Sequence, residues 1–135
     1  MTGNELITPA LRLIGVLQET ESASAEQAAN GLVTLNDMMA DLVTDDVDLG
    51  YAQQSDPNAE IGINNENRQA LKALLALAFC ADYDRAPSTA VIAMAQSGRN
   101  KLLRAGVYQT RQEATMTHIP MGEAYSGSDT SILTG

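Results

Sequence analysis

The chain is predicted to be all-α: a small core of about four helices with a short extended or β segment and a long C-terminal arm. Three observations predict this. Apolar residues recur at three- and four-residue spacing through most of the first hundred positions. The apolar volume is Ala, Leu, Val, Ile and Met, with no tryptophan and one phenylalanine in 135 residues, a composition that lets helices pack closely. The periodicity then stops near Tyr108, where Thr, Ser, Gly and Met take over.

The first helix shows Leu6, Ala10, Leu13 and Leu17 on one face. With Asn4 as its cap, Pro9 falls inside and costs a hydrogen bond. Thr8 as cap with Pro9 as the first helical residue is the competing start, and Gly15 ends the helix. The second helix opens on Ser24-Ala25-Glu26-Gln27, a capping box. Ala28, Leu32, Leu35, Met39 and Leu42 then repeat at four and three, with Asn30, Thr34, Asp37 and Asp41 on the wet side. Gly31 inside it implies a close neighbouring backbone. The end is expected near Val43.

Residues 47–54 alternate Val47, Leu49 and Tyr51 with polar or small partners, the pattern of a short strand. A polar loop follows over residues 55–65, anchored by Ile61 and Ile63. The third helix starts at Asn64 or Asn65 and runs to about Asp84. Leu71, Leu74, Leu75 and Phe79 form its stripe, and Leu77, Ala73, Ala76 and Ala81 fill most of the rest. A helix apolar nearly all round needs burial nearly all round, which points to neighbouring subunits. Arg85-Ala86-Pro87 breaks the chain. Ser88 caps a fourth helix running through Arg104, with Ala95 and Gly98 allowing close helix contact and Gly106 as its stop. The division is a helical core over 1–107 and an extended arm over 108–135, too poor in apolar residues to bury itself.

Charge is lopsided. The net charge is -9. Between Leu13 and Asn67 there is no Lys or Arg but there are eleven carboxylates, while Arg99, Lys101, Arg104 and Arg111 cluster late. The two sets can complement each other within one fold or across a head-to-tail contact. So acidic a chain is a poor grip for phosphates over a broad surface. No signal peptide is expected, one cysteine gives no internal disulfide, and the most apolar window, 70–81, carries Lys72 and is too short to span a bilayer. The chain reads as soluble and cytoplasmic in origin, with no membrane partner.

Candidate chemistry is thin. No glycine-rich phosphate loop occurs. Asp45-Asp46-Val47-Asp48-Leu49-Gly50 has its glycine one place early for an EF-hand and lacks the distal Glu, so it reads as a solvated turn. Cys80 reads as a buried, inert thiol, and His118 as an exposed or partner-contacting residue. No metal or cofactor is expected. The one enzymatic alternative is a carboxylate cell-wall hydrolase using Glu60 and Glu66 of the loop, or residues 45–48, since two acids at suitable separation cleave glycosidic bonds.

Three stretches, Ala10-Leu11-Arg12-Leu13-Ile14-Gly15-Val16, Ser24-Ala25-Glu26-Gln27-Ala28 and Leu35-Asn36-Asp37-Met38-Met39-Ala40-Asp41-Leu42, resemble the opening of the head-to-tail adaptor family of short-tailed phages. These are also called tail accessory factors or packaged-DNA-stabilisation proteins. The second half resembles it too, in Ala70-Leu71-Lys72-Ala73-Leu74-Leu75-Ala76-Leu77-Ala78, the break at Arg85-Ala86-Pro87, and Ala93-Met94-Ala95-Gln96-Ser97-Gly98-Arg99-Asn100-Lys101-Leu102-Leu103. The resemblance covers roughly residues 6–106. It implies a structural virion protein at the head–tail junction, assembled in the host cytoplasm. There it forms a ring, twelve-fold in the family, that docks beneath the portal protein. The ring extends the DNA channel, helps retain packaged DNA and offers a platform for tail hub, needle or tailspike proteins. DNA passes through without sequence-specific binding. The resemblance makes Ile119, Met121, Tyr125, Ile132 and Leu133 the arm's anchors on the portal or a neighbouring subunit. Leu71, Leu74, Leu75, Leu77, Phe79, Arg99, Lys101 and Arg104 are the expected subunit-packing residues. Asp45, Asp46, Asp48, Asp56 and Glu60 are expected to face the channel or its mouth. A connector of a long-tailed phage, of similar small helical design, is a further alternative.

Overall fold

A computed structural model describes residues 1–118, with side chains through Gly106. Four helices make it: α1 (Asn4–Leu13), α2 (Ala25–Thr44), α3 (Arg68–Asp82), entered through a 3-10 turn at Asn65–Asn67, and α4 (Thr89–His118). The hub is α3, against which α4, α1 and α2 all pack.

Helix α1 starts earlier than either sequence-derived cap allows: Gly3 is the N-cap and Pro9 lies inside the helix. Pro9 offers no N–H to the carbonyl four residues back. That carbonyl, on Glu5, accepts instead from the Arg68 guanidinium at 3.3 Å. Leu17 is buried beyond the helix end, and Gly15, at φ +80°, turns the chain there.

The capping box of α2 is present, with the Ser24 hydroxyl accepting from the Gln27 amide and the Gln27 side chain accepting from the Ser24 amide. Gly31 is buried, but the reason is side chains and not a neighbouring backbone. A Cβ there lies 2.7 Å from Ile7 Cγ2 and 3.2 Å from Phe79 Cζ.

Residues 47–54 form no strand; among the described residues the only pairing is an isolated antiparallel bridge between Thr2 and Glu60. The segment lies along α2 instead. The Tyr51 hydroxyl donates to Asn36, Asn36 donates to the Gln54 carbonyl at 3.2 Å, and Val47, Ile61 and Ile63 bury their side chains. One backbone bond, from the Ala52 amide to the Ile61 carbonyl at 2.9 Å, together with side-chain bonds and buried anchors, has taken the place of a ladder.

The largest correction concerns α3. Leu71 and Leu75 are fully buried and Phe79 nearly so, all within the chain's own core. Within one chain α1, α2 and α4 all pack on α3 and cover Leu71, Leu75 and Phe79, three of the residues that the sequence assigned to neighbours, while Leu74 and Leu77 stay half-buried. The buried side of α3, with Leu71, Leu75 and Phe79, therefore needs no other subunit to cover it.

The fourth helix is capped by Ser88, whose hydroxyl accepts from the Val91 amide at 3.2 Å. It packs on α3 where Gly98 meets Ala70, as its small residues predict. It does not stop at Gly106 but continues to His118, so residues 108–118, read as extended, are helical. Gly106 has a different task. A Cβ there would meet the Asp46 carbonyl at 2.7 Å, so the glycine lets α4 cross the turn after α2. Ile119, Met121, Tyr125, Ile132 and Leu133 lie outside the described residues.

Candidate functional site

The cationic side chains are mostly engaged inside the fold. Arg12 donates to the Glu21 carbonyl at 2.9 and 2.6 Å, Arg68 to Glu5, Arg85 to the Gly15 carbonyl at 3.3 Å, and Lys101 to the Glu66 carbonyl at 2.8 Å. Arg99 forms an ion pair with Asp45 at 2.5 Å. That joins the acidic turn to the basic helix within one chain, as the charge pattern allows. Four cations thus serve backbone carbonyls at helix ends and connections, so no continuous phosphate-binding track is built from them. Arg104 is exposed.

The acidic turn residues are spread out. Asp45 faces Arg99. Asp48 and Asp56 accept the amides of Gly50 and Asn58 two residues on, closing their own turns. Glu60 accepts from the Met1 amine at 2.5 Å. Asp46 stands at φ 64°, a left-handed position that aspartate tolerates. The two hydrolase candidates are not brought together. Glu66 lines a hollow with Asp48, Asn64 and Asn67, and Glu60 is not part of it. No group of three or more His, Cys, Asp or Glu able to hold a metal gathers among the described residues. Cys80 is buried, as read from its place in the third helix. No helix among the described residues is long and apolar enough to cross a membrane.

Of the expected packing residues, Leu71, Leu75 and Phe79 have no surface to offer a neighbour; Leu74 and Leu77 are half-buried, and Arg99, Lys101 and Arg104 are exposed. What the sequence reading missed is the outer face of α2. Val33 is 60% and Val43 53% exposed, and with Ile92 of α4 they are the large hydrophobics turned most to solvent. Asp37 and Asp41 lie beside them. The signal was in the spacing: Ala29, Val33, Ala40 and Val43 step by four, seven and three residues, an apolar stripe distinct from the buried one.

Two tyrosines are perturbed. Burial pushes the Tyr51 hydroxyl above its usual 10.0. Tyr83 is raised by burial first, then by the Asp82 and Glu26 carboxylates; its ring meets Phe79 edge-on at 6.1 Å.

The deciding finding is that a family model described as P22 tail accessory factor matches residues 1–131. The chain belongs to the P22 tail accessory factor family. It is a phage tail protein, structural in role, whose place is the virion, among other tail and virion components. No curated protein matches the chain.

Proposed function

We propose that this tail accessory factor is a head-to-tail adaptor: copies of it form a ring, twelve-membered, beneath the portal protein. The ring extends the DNA channel, helps retain packaged DNA, and presents a platform for tail hub, needle or tailspike proteins. It works by assembly and not by turnover. The observation that carries this reading is the family match running from residue 1 to 131, through the helical core and into the segment beyond it. The electrostatics support it. A chain of net charge -9, with most described cations tied to carbonyls, repels phosphates where it meets them, which suits DNA that must slide.

In this reading Asp45, Asp46, Asp48, Asp56 and Glu60 face the lumen or its mouth. Ile119, Met121, Tyr125, Ile132 and Leu133 dock on the portal or a neighbouring copy. The helical core, 1–107, and the segment 108–135 are the two functional parts of the chain. The test is mass photometry of the chain alone, of the portal alone, and of the mixture. A defined multiple of the chain's mass added to the portal supports the adaptor; a mixture whose species are those of the two components alone overturns it. For the channel assignment, particles carrying Asp46→Lys and Asp56→Lys should retain and eject DNA abnormally. Unchanged retention and ejection remove those residues from the lumen.

A further inference from the structure

The outer face of α2 and the groove between α3 and α4 are complementary in shape and charge, and they lie on opposite sides of the molecule. On α2, at about 100° per residue, Ala29, Val33, Ala40 and Val43 fall within about a quarter turn, and Asp37 and Asp41 occupy the next. All six are exposed. The ridge they make is about 21 Å long at 1.5 Å per residue. Neither the Asp37 nor the Asp41 carboxylate has a hydrogen bond or ion pair among the described residues.

The groove has a volume of about 450 Å³ and a floor of Ala70, Ala93, Met94 and Gly98, with Lys101 and Arg104 on its rim. From Ala93 to Arg104 it runs about 17 Å by the same rise, close to the length of the ridge. Arg104 has no partner among the described residues. A ridge with unpaired carboxylates and a groove with an unpaired guanidinium are the two halves of a helix packing contact.

One chain cannot bring them together. The groove opens at Ala70 of α3, while α2 packs on α3 at Phe79, against Gly31. Nine residues at about 100° each put those positions half a turn apart around α3. We propose that the α2 ridge of one copy, through Val33, Ala40, Val43, Asp37 and Asp41, seats in the α3–α4 groove of the next, against Ala93, Met94 and Arg104. The inference rests on the ring reading and names the lateral contact that closes it. The contact is heterologous: each copy offers a ridge to one neighbour and a groove to the other, so the geometry yields rings or open chains and excludes a self-complementary dimer. DNA is the weaker occupant of the groove, because the floor is apolar and phosphate binding needs several free cations.

The test uses the full chain in assembled phage particles, treated with a short bis-maleimide. Particles carrying Val33→Cys together with Ala93→Cys should give a ladder of covalent oligomers. Either single variant, like the native chain with its buried Cys80, should give monomers. Copies per particle are counted in the same samples. Several copies per particle with no ladder overturns the pairing and leaves the ring standing; one copy per particle overturns the ring as well. Val33→Cys linking to itself, or Ala93→Cys linking to a portal cysteine, also overturns the pairing. In parallel, Asp41→Arg should lower the yield of complete particles by about tenfold, and adding Arg104→Glu should restore it to within about threefold, the reach of one close charge pair. Asp41→Arg with no effect, or Arg104→Glu that deepens the defect, counts against the contact.

Discussion

Replacing Gly98 by alanine sets two known effects against each other at a point where the geometry decides the winner. In a free helix the change gains about 1 kcal/mol of helix propensity. Here the new Cβ would lie 2.8 Å from Ala70 Cα, 3.0 Å from its Cβ and 3.2 Å from its carbonyl oxygen. Carbon contacts are comfortable at about 3.5 Å, so α4 must retreat from α3 by about 0.7 Å. The obstacle is backbone, which no side-chain rotation removes. A gap of that size forfeits a quarter to a half of the contact energy along the α4 face carrying Val91, Ala95 and Leu102, which are buried. Overpacking costs about 1–3 kcal/mol, and an obstacle of backbone puts this site in the upper part of that range, about 2–3 kcal/mol; less the propensity gain, the net loss is about 1–2 kcal/mol. At about 4 °C per kcal/mol for a domain of this size, the thermal midpoint should fall by about 4–8 °C. Gly31→Ala is the companion variant. Its Cβ meets Ile7 Cγ2 at 2.7 Å and Phe79 Cζ at 3.2 Å, both on fully packed core residues, the isoleucine stiff at its branched Cβ, so overpacking should outweigh the propensity gain there too, by about 0–2 kcal/mol. Urea denaturation followed by circular dichroism gives both values. A Gly98→Ala chain as stable as the native one would refute the close α3–α4 contact.

Leu71→Ala should cost about 2–5 kcal/mol of folding stability by urea denaturation, as a cavity in the chain's own core does; full stability with impaired self-association would return Leu71 to a subunit interface. The raised hydroxyl pKa values of Tyr51 and Tyr83 make their contribution constant below about pH 10, where they are protonated folded or unfolded. Above it the unfolded chain ionises first, so stability falls as pH rises through the folded values. Ultraviolet titration should find tyrosines ionising later in the folded than in the urea-unfolded chain, and coincident curves would contradict the burial. Pro9→Ala restores a donor to the Glu5 carbonyl and should stabilise by about 1–2 kcal/mol, the helix-interior cost of proline less the unfolded-state entropy it removes. In that background Arg68→Met should cost less than it does alone, a coupling that a double-mutant cycle measures directly.

The helices were legible because their signals are local. Ser24 with Gln27, Ser88 before α4, and the four-three stripe of α2 act within one or two turns, and the structure reproduces them. Three other features were set by distant residues. Local rules left Pro9 either inside α1 or at its first position, and the Arg68 guanidinium on the Glu5 carbonyl serves the group that an interior proline leaves without a donor. Gly106 reads as a stop until the Asp46 carbonyl is seen against it. The 47–54 segment alternates like a strand, yet Asn36 binds it to a helix through Tyr51 and Gln54, and a single backbone bond, from the Ala52 amide to the Ile61 carbonyl, stands where a ladder would run. The burden on α3 was misread for a related reason: periodicity shows how much of a helix is apolar, but not how many sides its own chain will cover. Of the assembly surface, the cations were visible as a cluster. The α2 ridge was hidden because Ala29, Val33, Ala40 and Val43 belong to neither the buried stripe nor the polar residues that mark the wet side.

The bond from Arg68 to Glu5 gives the protein an order of synthesis. Ten residues are too few to hold a helix in water unaided, and this one contains a proline. During synthesis residues 4–13 are made some sixty residues before the Arg68 that serves the Glu5 carbonyl, so this helix is expected to gain its full stability only once that later stretch is available.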